Sequence, residues 1–370
     1  MILLLWPLLV LMSVILLVTL VNVLSAPLVK NGPSVQEYPL VSVLIPARNE
    51  GENIQTCLET LMQQSLSSLE IIVLDDCSID NTSDVVRSVM IHDCRIRLIQ
   101  GEKLPVGWTG KNWACFQLSR MAQGDYYIFT DADNYFSSNA VEKTIGWMKR
   151  LNLSLFSAFP QQITLTLGEK LIVPIFESFV YSLLPLWLTY FSKFSSIAAA
   201  NGQWIAFTRE GYRRIGGHEA VRNQIVEDTE LARLGKRRGE KVLTAAGKDA
   251  VMARMYKSWR QVYWGFSKNA FGLMGYKAVP FFIFICLLIA LYIMPYFLLL
   301  IPSTLSWSLI MILAGMSIRL LMALKYGHPL WISTFLNPLS IIAVIWIGLN
   351  SFRHYLSGSI VWKDRRINFE

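Results

Sequence analysis

The chain is short of charge. Only 16% of its 370 residues are Asp, Glu, Lys or Arg, while 53% are hydrophobic. That is more apolar than an ordinary soluble chain, and the deficit is uneven. Ile2–Leu24 carry no charge, and the run is about as long as the ~20 residues that span a bilayer. A basic n-region is missing ahead of it and the run is long for a signal-peptide core, so it predicts a retained anchor, not a cleaved leader. The cysteines Cys57, Cys77, Cys94, Cys115 and Cys286 form no CxxC pair. They read as ordinary thiols in a reducing compartment, which speaks against a zinc site or a disulfide framework. Between the apolar blocks there is no GxGxxG and no GxxxxGKS/T, so neither a dinucleotide fingerprint nor a P-loop is supported.

What the chain has instead begins with a second apolar block, Pro280–Leu349. Within it, Val279–Ile301 and Leu305–Met322 have the length of spans, whereas Leu330–Leu349 is interrupted by the helix-breaking Asn337-Pro338. Lys30 follows the first span, and Lys268 and Lys277 precede the second, so the region between them is expected in the cytoplasm. Lys325 follows the third span; Arg353, Lys363, Arg365 and Arg366 follow the last stretch. Both ends of that stretch then read as cytoplasmic, which a re-entrant hairpin at Asn337-Pro338 reconciles. The formal charge of +8 includes clusters at Arg209–Arg214 and Arg233–Lys241. In a chain with membrane spans these suit an anionic lipid face; they lack the interleaved aromatics of a nucleic-acid surface, so no nucleic acid is expected as a partner.

The middle of the chain alternates strand and helix patterns. Val41–Ile45, Glu70–Leu74, Arg95–Ile99 and Tyr126–Thr130 read as strands; Gly51–Gln64, Asp80–Met90 and Gly110–Met121 read as helices. Such alternation predicts an α/β fold, a mainly parallel sheet covered on both faces. Ligands in such sheets bind beyond the carboxyl ends of the strands. Those ends carry Arg48-Asn49-Glu50, Asp75-Asp76 and Asp131-Ala132-Asp133.

Asp131 and Asp133 are two residues apart at a strand end, so their side chains can share one direction. Two hard oxygen ligands suit Mg²⁺ or Mn²⁺, which keeps its remaining positions for water and phosphate oxygens, so the pair implies a diphosphate partner. A solvated turn is the competing reading, since Asp-Ala-Asp-Asn also occurs in plain loops. Lys111 follows the loop Gly107-Trp108-Thr109-Gly110 where a helix begins, a position that favours an anionic ligand.

At this point the residues resemble a known family. Val41-Ser-Val-Leu-Ile-Pro-Ala-Arg-Asn-Glu50, Asp75-Asp-Cys-Ser78, Thr130-Asp-Ala-Asp133 and Val226-Glu-Asp-Thr229 stand in the order and spacing of family 2 glycosyltransferases with the GT-A nucleotide-diphospho-sugar transferase fold. The resemblance covers about residues 40–270. Gly107-Trp-Thr-Gly-Lys-Asn-Trp113, Asn201-Gly-Gln203, Ile215-Gly-Gly-His218 and Trp362-Lys-Asp-Arg365 look like membrane-bound carotenoid glucosyltransferases of the hydroxychlorobactene type, and like hopanoid-associated and ceramide glucosyltransferases.

The resemblance implies a UDP-sugar donor, with Pro46, Ala47, Arg48 and Glu50 lining the uridine pocket and Asp75 or Asp76 accepting a hydrogen bond from uracil or ribose. It places Lys111 near the nucleotide, Asp131 and Asp133 at the metal with Asp133 the more direct ligand, and Glu227 beside the substrate. Asp228 becomes the general base of a single inverting displacement. An N-terminal helix-capping role suits Asp228 equally well, and both roles are compatible. The implied acceptor is a hydroxyl on a hydrophobic membrane molecule, a carotenoid first and another lipid second.

The pattern departs from the family in one place. Where many processive members carry Gln-x-x-Arg-Trp, this chain has Arg260-Gln-Val-Tyr-Trp264, which counts against polymer synthesis. Arg260 then stands as a phosphate contact, and Trp264 as a packing platform or an interfacial anchor. Leu171–Phe194 is apolar and aromatic but broken by Pro174, Glu177, Pro185 and Lys193. It reads as an interfacial segment at the acceptor's entrance, with a buried core helix as the alternative. The expected organisation is an anchor over 1–25, a cytoplasmic transferase domain over 26–278, a membrane region over 279–349 and a basic tail over 350–370.

Overall fold

The computed structural model of the protein describes residues 5–35, 39–357, 361–362 and 365–366. Lys363 and part of the expected basic tail, like the first four residues of the expected anchor, lie outside the described residues. The chain forms two compact units. One comprises Ala26–Ile163 and Leu186–Arg254; the other comprises Met1–Ser25, Thr164–Pro185 and Met255–Glu370.

The first unit is built on ten strands. They are β1 (Val41–Ala47), β2 (Leu69–Asp75), β3 (Ile96–Gln100), β4 (Tyr126–Thr130), β5 (Asn134–Phe136), β6 (Leu155–Phe159), β7 (Gln161–Gln162), β8 (Trp204–Thr208), β9 (Val242–Ala246) and β10 (Val251–Ala253). Seven of them form one sheet in the order β3-β2-β1-β4-β8-β6-β9, and β5-β10-β7 form a second, small sheet. In the large sheet β1 pairs in parallel with both β2 and β4, and β6 with β9. β8 alone runs antiparallel to its neighbours β4 and β6. This is the mainly parallel sheet that the strand–helix alternation predicts.

Central parallel strands are buried on both faces and read as continuous apolar runs. Val43, Ile45, Ile71, Val73, Ile128, Phe156 and Leu243 point to one face. There they meet Ile54, Leu58 and Leu61 of the helix Ile54–Met62, and Val141 and Ile145 of the helix Ala140–Leu151. The alternate residues Leu44, Ile72, Leu74, Phe129, Ile205 and Phe207 point to the other face, onto Ala114 and Leu118 of the helix Gly110–Met121 and Leu231 of the helix Glu227–Arg237. Strand order reverses at β1, which has β2 on one side and β4 on the other. A crevice opens at such a switch point, beyond the carboxyl ends of the strands. β1 and β4 end there at Ala47 and Thr130, just ahead of Arg48 and Asp131.

Among the described residues, the second unit holds four helices long and apolar enough to cross a membrane: Trp6–Ser25, Ala278–Leu298, Pro302–Tyr326 and Asn337–Leu356. The break expected at Asn337-Pro338 coincides with the start of the last of them. A short helix, Leu330–Phe335, ends, and a new one starts with Pro338 in its first turn, where the missing N–H breaks no helical bond. Its 20 residues amount to about 30 Å of helix, the length of a membrane span.

The stretch 171–194 is divided between the units. Its first part belongs to the helix Leu167–Leu183, where Leu171, Ile172, Val173 and Ile175 are buried in the second unit. Arg319 reaches the Pro174 carbonyl at 3.2 Å and the Ser178 hydroxyl, and His328 Nε2 lies 2.8 Å from Glu177. Two of the interruptions that spoil this stretch as a span, Pro174 and Glu177, are therefore partners of buried polar groups. The later part, with Phe191 and Phe194, is exposed in the first unit.

Candidate active site

The turn Asp131–Asp133 joins β4 of the large sheet to β5 of the small one, and side chains fasten it at both ends. Thr130 Oγ1 donates to the Gln203 carbonyl at 2.8 Å, and Asn134 Nδ2 donates to Thr130 Oγ1 at 2.9 Å. All three residues are buried. The turn is thus held rigidly at the crevice rather than left as a solvated loop.

Lys111 lies at the centre of the site. It sits in the first turn of the helix Gly110–Met121, whose start is capped by Thr109 Oγ1 accepting from the Asn112 amide. Its Nζ lies 2.9 Å from Asp131 Oδ1 and 3.3 Å from Glu227 Oε1. Burial works against its charge, but Asp131 and Glu227 outweigh it and hold the lysine well above its ordinary pKa. Glu227 and Asp228 begin the helix Glu227–Arg237, whose dipole favours acids at that end. Asp228 is fixed by two backbone donors, Gly202 N at 2.7 Å and Thr229 N at 2.6 Å. Burial raises its pKa, opposed by Lys111. Burial also pushes Glu227 up to about 7, against the pull of Lys111.

Gly202 completes the wall. A Cβ there would stand 3.0 Å from Lys111 Nζ, 3.2 Å from Glu227 Oε1 and 3.5 Å from Asp228 Oδ2. The bare backbone leaves open the space directly over the charges.

Asp133 shows whether a metal ion suits this place. Its Oδ1 is buried and has no hydrogen-bond partner. Burial, with the negative charges of Asp131 and Glu50 added, pushes the group up to about 7. A carboxylate oxygen held beside two like charges without a donor is a fit for a cation. Among the described residues no group of three or more His, Cys, Asp and Glu side chains gathers to hold a metal. A pair of carboxylates is the number that Mg²⁺ or Mn²⁺ uses when a diphosphate supplies further oxygens.

The ends of β1 and β2 come together in register. Ala47 stands opposite Asp75, the Asp76 amide donates to the Ala47 carbonyl at 2.8 Å, and Arg48 Nη1 donates to the Asp76 carbonyl at 2.7 Å. Pro46 lies one residue earlier, paired with Leu74. Glu50 Oε2 accepts from Asn53 at 2.9 Å. Both oxygens of Asp75 are engaged, by Ser78 N at 2.9 Å and by the Ser83 hydroxyl, so Asp75 shapes the turn after β2. Arg260 and Trp264 are not part of this unit. They lie on the helix Trp259–Asn269 of the second unit, where the Trp264 ring is 5.5 Å from His354.

Sequence reasoning passed over several groups. Thr130, Asn134 and Gly202 build the turn and the wall but belong to no charge pattern. His218, the last residue of the Ile215–His218 motif, is buried against Tyr212, whose hydroxyl is 2.8 Å from Nδ1 and accepts from the His218 amide at 3.0 Å. Burial, aided by Lys111, drives its pKa down to about 3, so the ring is neutral.

The architecture is that of the GT-A fold. It matches the structure of a mannosyltransferase from Pyrobaculum calidifontis, solved with GDP-mannose and Mn²⁺, with a TM-score of 0.52 and 18% identity over 87% of this chain and 91% of that one. Residues 42–192 match the model of glycosyl transferase family 2. Residues 42–192, which carry Arg48, Lys111, Asp131 and Asp133, are thus similar to family 2 glycosyltransferases, while Glu227 and Asp228 lie beyond the match. Among relatives, the 4,4'-diaponeurosporenoate glycosyltransferase of Staphylococcus haemolyticus is 27% identical over 226 residues, 59% of this chain and 57% of that protein. The Escherichia coli UDP-Glc:alpha-D-GlcNAc-diphosphoundecaprenol beta-1,3-glucosyltransferase is 31% identical over 110 residues, 30% of this chain and 41% of that one. The matched part therefore spans less than two thirds of either relative's length.

Proposed function

We propose that the protein is an integral membrane, inverting glycosyltransferase that moves a hexose, glucose first, from a UDP-sugar to a hydroxyl of a hydrophobic membrane acceptor, a carotenoid first. One observation carries this reading: Lys111 bridges Asp131 on the metal side to Glu227 beside Asp228 on the other. A donor diphosphate over Asp131 and Asp133 leaves its anomeric carbon facing Asp228.

Bound Mg²⁺ or Mn²⁺ would supply charge neutralisation for the diphosphate. Asp131 and Asp133 would hold it, Asp133 through its unpartnered oxygen. Arg48, Glu50 and the ends of β1 and β2, with Pro46, Ala47 and Asp76, would line the uridine side. Asp228 takes the proton of the acceptor hydroxyl as that oxygen attacks the anomeric carbon. The bond from that carbon to the diphosphate oxygen breaks, UDP leaves with the electron pair, and Lys111 stabilises the charge it gains.

The carotenoid acceptor is supported by the staphylococcal relative, and the lipid-linked alternative by the Escherichia coli one. The staphylococcal protein's named substrate is a carotenoid carboxylate, which has no proton to give up at neutral pH. A built base, gripped by two backbone donors, favours a hydroxyl for this chain. The domain is placed on the cytoplasmic side of the cell membrane, where UDP-sugars are made and the flanking lysines belong. Mass spectrometry of pigment and lipid extracts from cells with and without the protein tests the reading. A hexosylated carotenoid that appears only with the protein supports it; a hexosylated lipid and unchanged pigment overturns the acceptor; unchanged extracts overturn the activity.

A further inference from the structure

The motif Gly107–Trp113 contains a residue that the chemistry above does not use. Asn112 follows Lys111 and is fully buried. Its Nδ2 donates to the carbonyls of Val221 at 2.7 Å, Gln224 at 2.9 Å and Arg222 at 3.3 Å, and its Oδ1 has no partner. The Thr109 amide adds a bond to the Arg222 carbonyl at 2.8 Å. The segment held in this way leads straight into Glu227 and Asp228. It has little packing of its own, because Arg222, Asn223 and Gln224 are exposed. Upstream it is anchored by buried Val221 and by His218 on Tyr212. From Val221 to Gln224, Asn112 is the buried polar side chain that fixes its path.

We infer that Asn112 is a positioning residue: by gripping the carbonyls of 221–224 it holds Asp228 at a set separation from Lys111, so that base and diphosphate-side cation act on one donor sugar. The inference rests on the function proposed above. A side-chain amide suits the task because it brings two N–H groups to carbonyls that a carboxylate would repel and an alanine would leave unpaired. The role is one of geometry, and a shift of about 1 Å in such a group costs on the order of 100-fold in rate.

The test uses the full-length protein in detergent with Asn112→Ala, Asn112→Asp and Asn112→Ser. Four quantities are read: kcat, KM for the UDP-sugar, Mn²⁺-dependent UDP affinity, and amide hydrogen exchange. In the alanine and aspartate variants kcat should fall by about 30- to 100-fold, while UDP affinity stays within about threefold. Exchange at 221–226 should accelerate while the β4 amides keep their protection. Serine, with one donor, should recover part of kcat. Unchanged kcat or unchanged exchange at 221–226 would overturn the inference, as would UDP affinity falling in step with kcat while exchange rises across the whole sheet. If the wild-type protein transfers no sugar, the proposed function fails, and the exchange measurement alone decides whether Asn112 fixes the loop.

Discussion

Replacing Lys111 by methionine removes the cation that, among the described residues, joins the two sides of the site, and keeps the side chain's bulk. Its ammonium lies 2.9 Å from Asp131 and 3.3 Å from Glu227. At an effective dielectric of ~20 each contact is worth about 5–6 kcal/mol of Coulomb attraction, much of it offset by desolvation. The side chains are 25%, 31% and 9% exposed for Lys111, Asp131 and Glu227, so water screens the cluster only in part. Loss of one partner from a buried pair costs about 3–5 kcal/mol, and solvent access to Asp131 should reduce that to about 2–3 kcal/mol here. The sign reverses for metal. In the free protein the ammonium competes for Asp131, and even with full water screening its repulsion of a dication is about 1–2 kcal/mol, a factor of about ten. The variant should therefore melt earlier yet bind Mn²⁺ alone about tenfold more tightly, while its affinity for UDP in the presence of Mn²⁺ falls. Calorimetric titration of Mn²⁺ with and without UDP measures both. Weaker binding of Mn²⁺ alone in Lys111→Met would refute the reasoning, because Lys111 would then be supporting the ion's site instead of occupying part of it.

Asp228→Asn should retain Mn²⁺-dependent UDP affinity and lose at least about 1,000-fold in turnover with a hydroxyl acceptor, since an amide takes no proton; turnover near wild type would remove Asp228 as the base. Asp133→Ala should weaken Mn²⁺-dependent UDP binding by about tenfold or more and leave metal-free UDP binding alone, read by the same titration. His218 should make the protein acid-sensitive. Its pKa is depressed from 6.5 to about 3 on folding, so its contribution is complete above pH 6.5 and is lost as pH falls through that interval. The slope is up to about 1.4 kcal/mol per pH unit, or about 2 kcal/mol by pH 5. His218→Phe should flatten the melting profile between pH 6.5 and 5, and an unchanged slope would assign the acid sensitivity to other groups.

Much of this fold can be read along the chain because its signals are local. β-branched runs such as Val41–Ile45 become fully buried parallel strands, and the charged residues that end them mark the crevice. Asp131, Asp133, Lys111, Glu227 and Asp228, drawn from three separate segments, do converge. What stayed hidden depends on tertiary partners. Asp75 carries the same charge as Asp76, yet its oxygens are taken by Ser78 and Ser83. Gly202 matters for the side chain it lacks, which only the positions of Lys111 and Glu227 reveal. The helix Leu167–Leu183 looks interfacial because Pro174 and Glu177 break its apolar run. Arg319 and His328, more than a hundred residues away, bury those interruptions. Asn337-Pro338 reads as a mid-span break, but a proline is equally at home in a first turn, and sequence alone does not say where the helix begins.

The account turns on whether the aspartates at the end of β4 hold a cation against a sugar nucleotide's diphosphate. The direct measurement is an anomalous difference map, at the manganese edge, from crystals of the protein with Mn²⁺ and UDP. The predicted result is a single strong peak between the carboxylates of Asp131 and Asp133 and the diphosphate, with Lys111 turned off Asp131. Ordered UDP in the crevice with no peak there, or with manganese bound elsewhere, would contradict it.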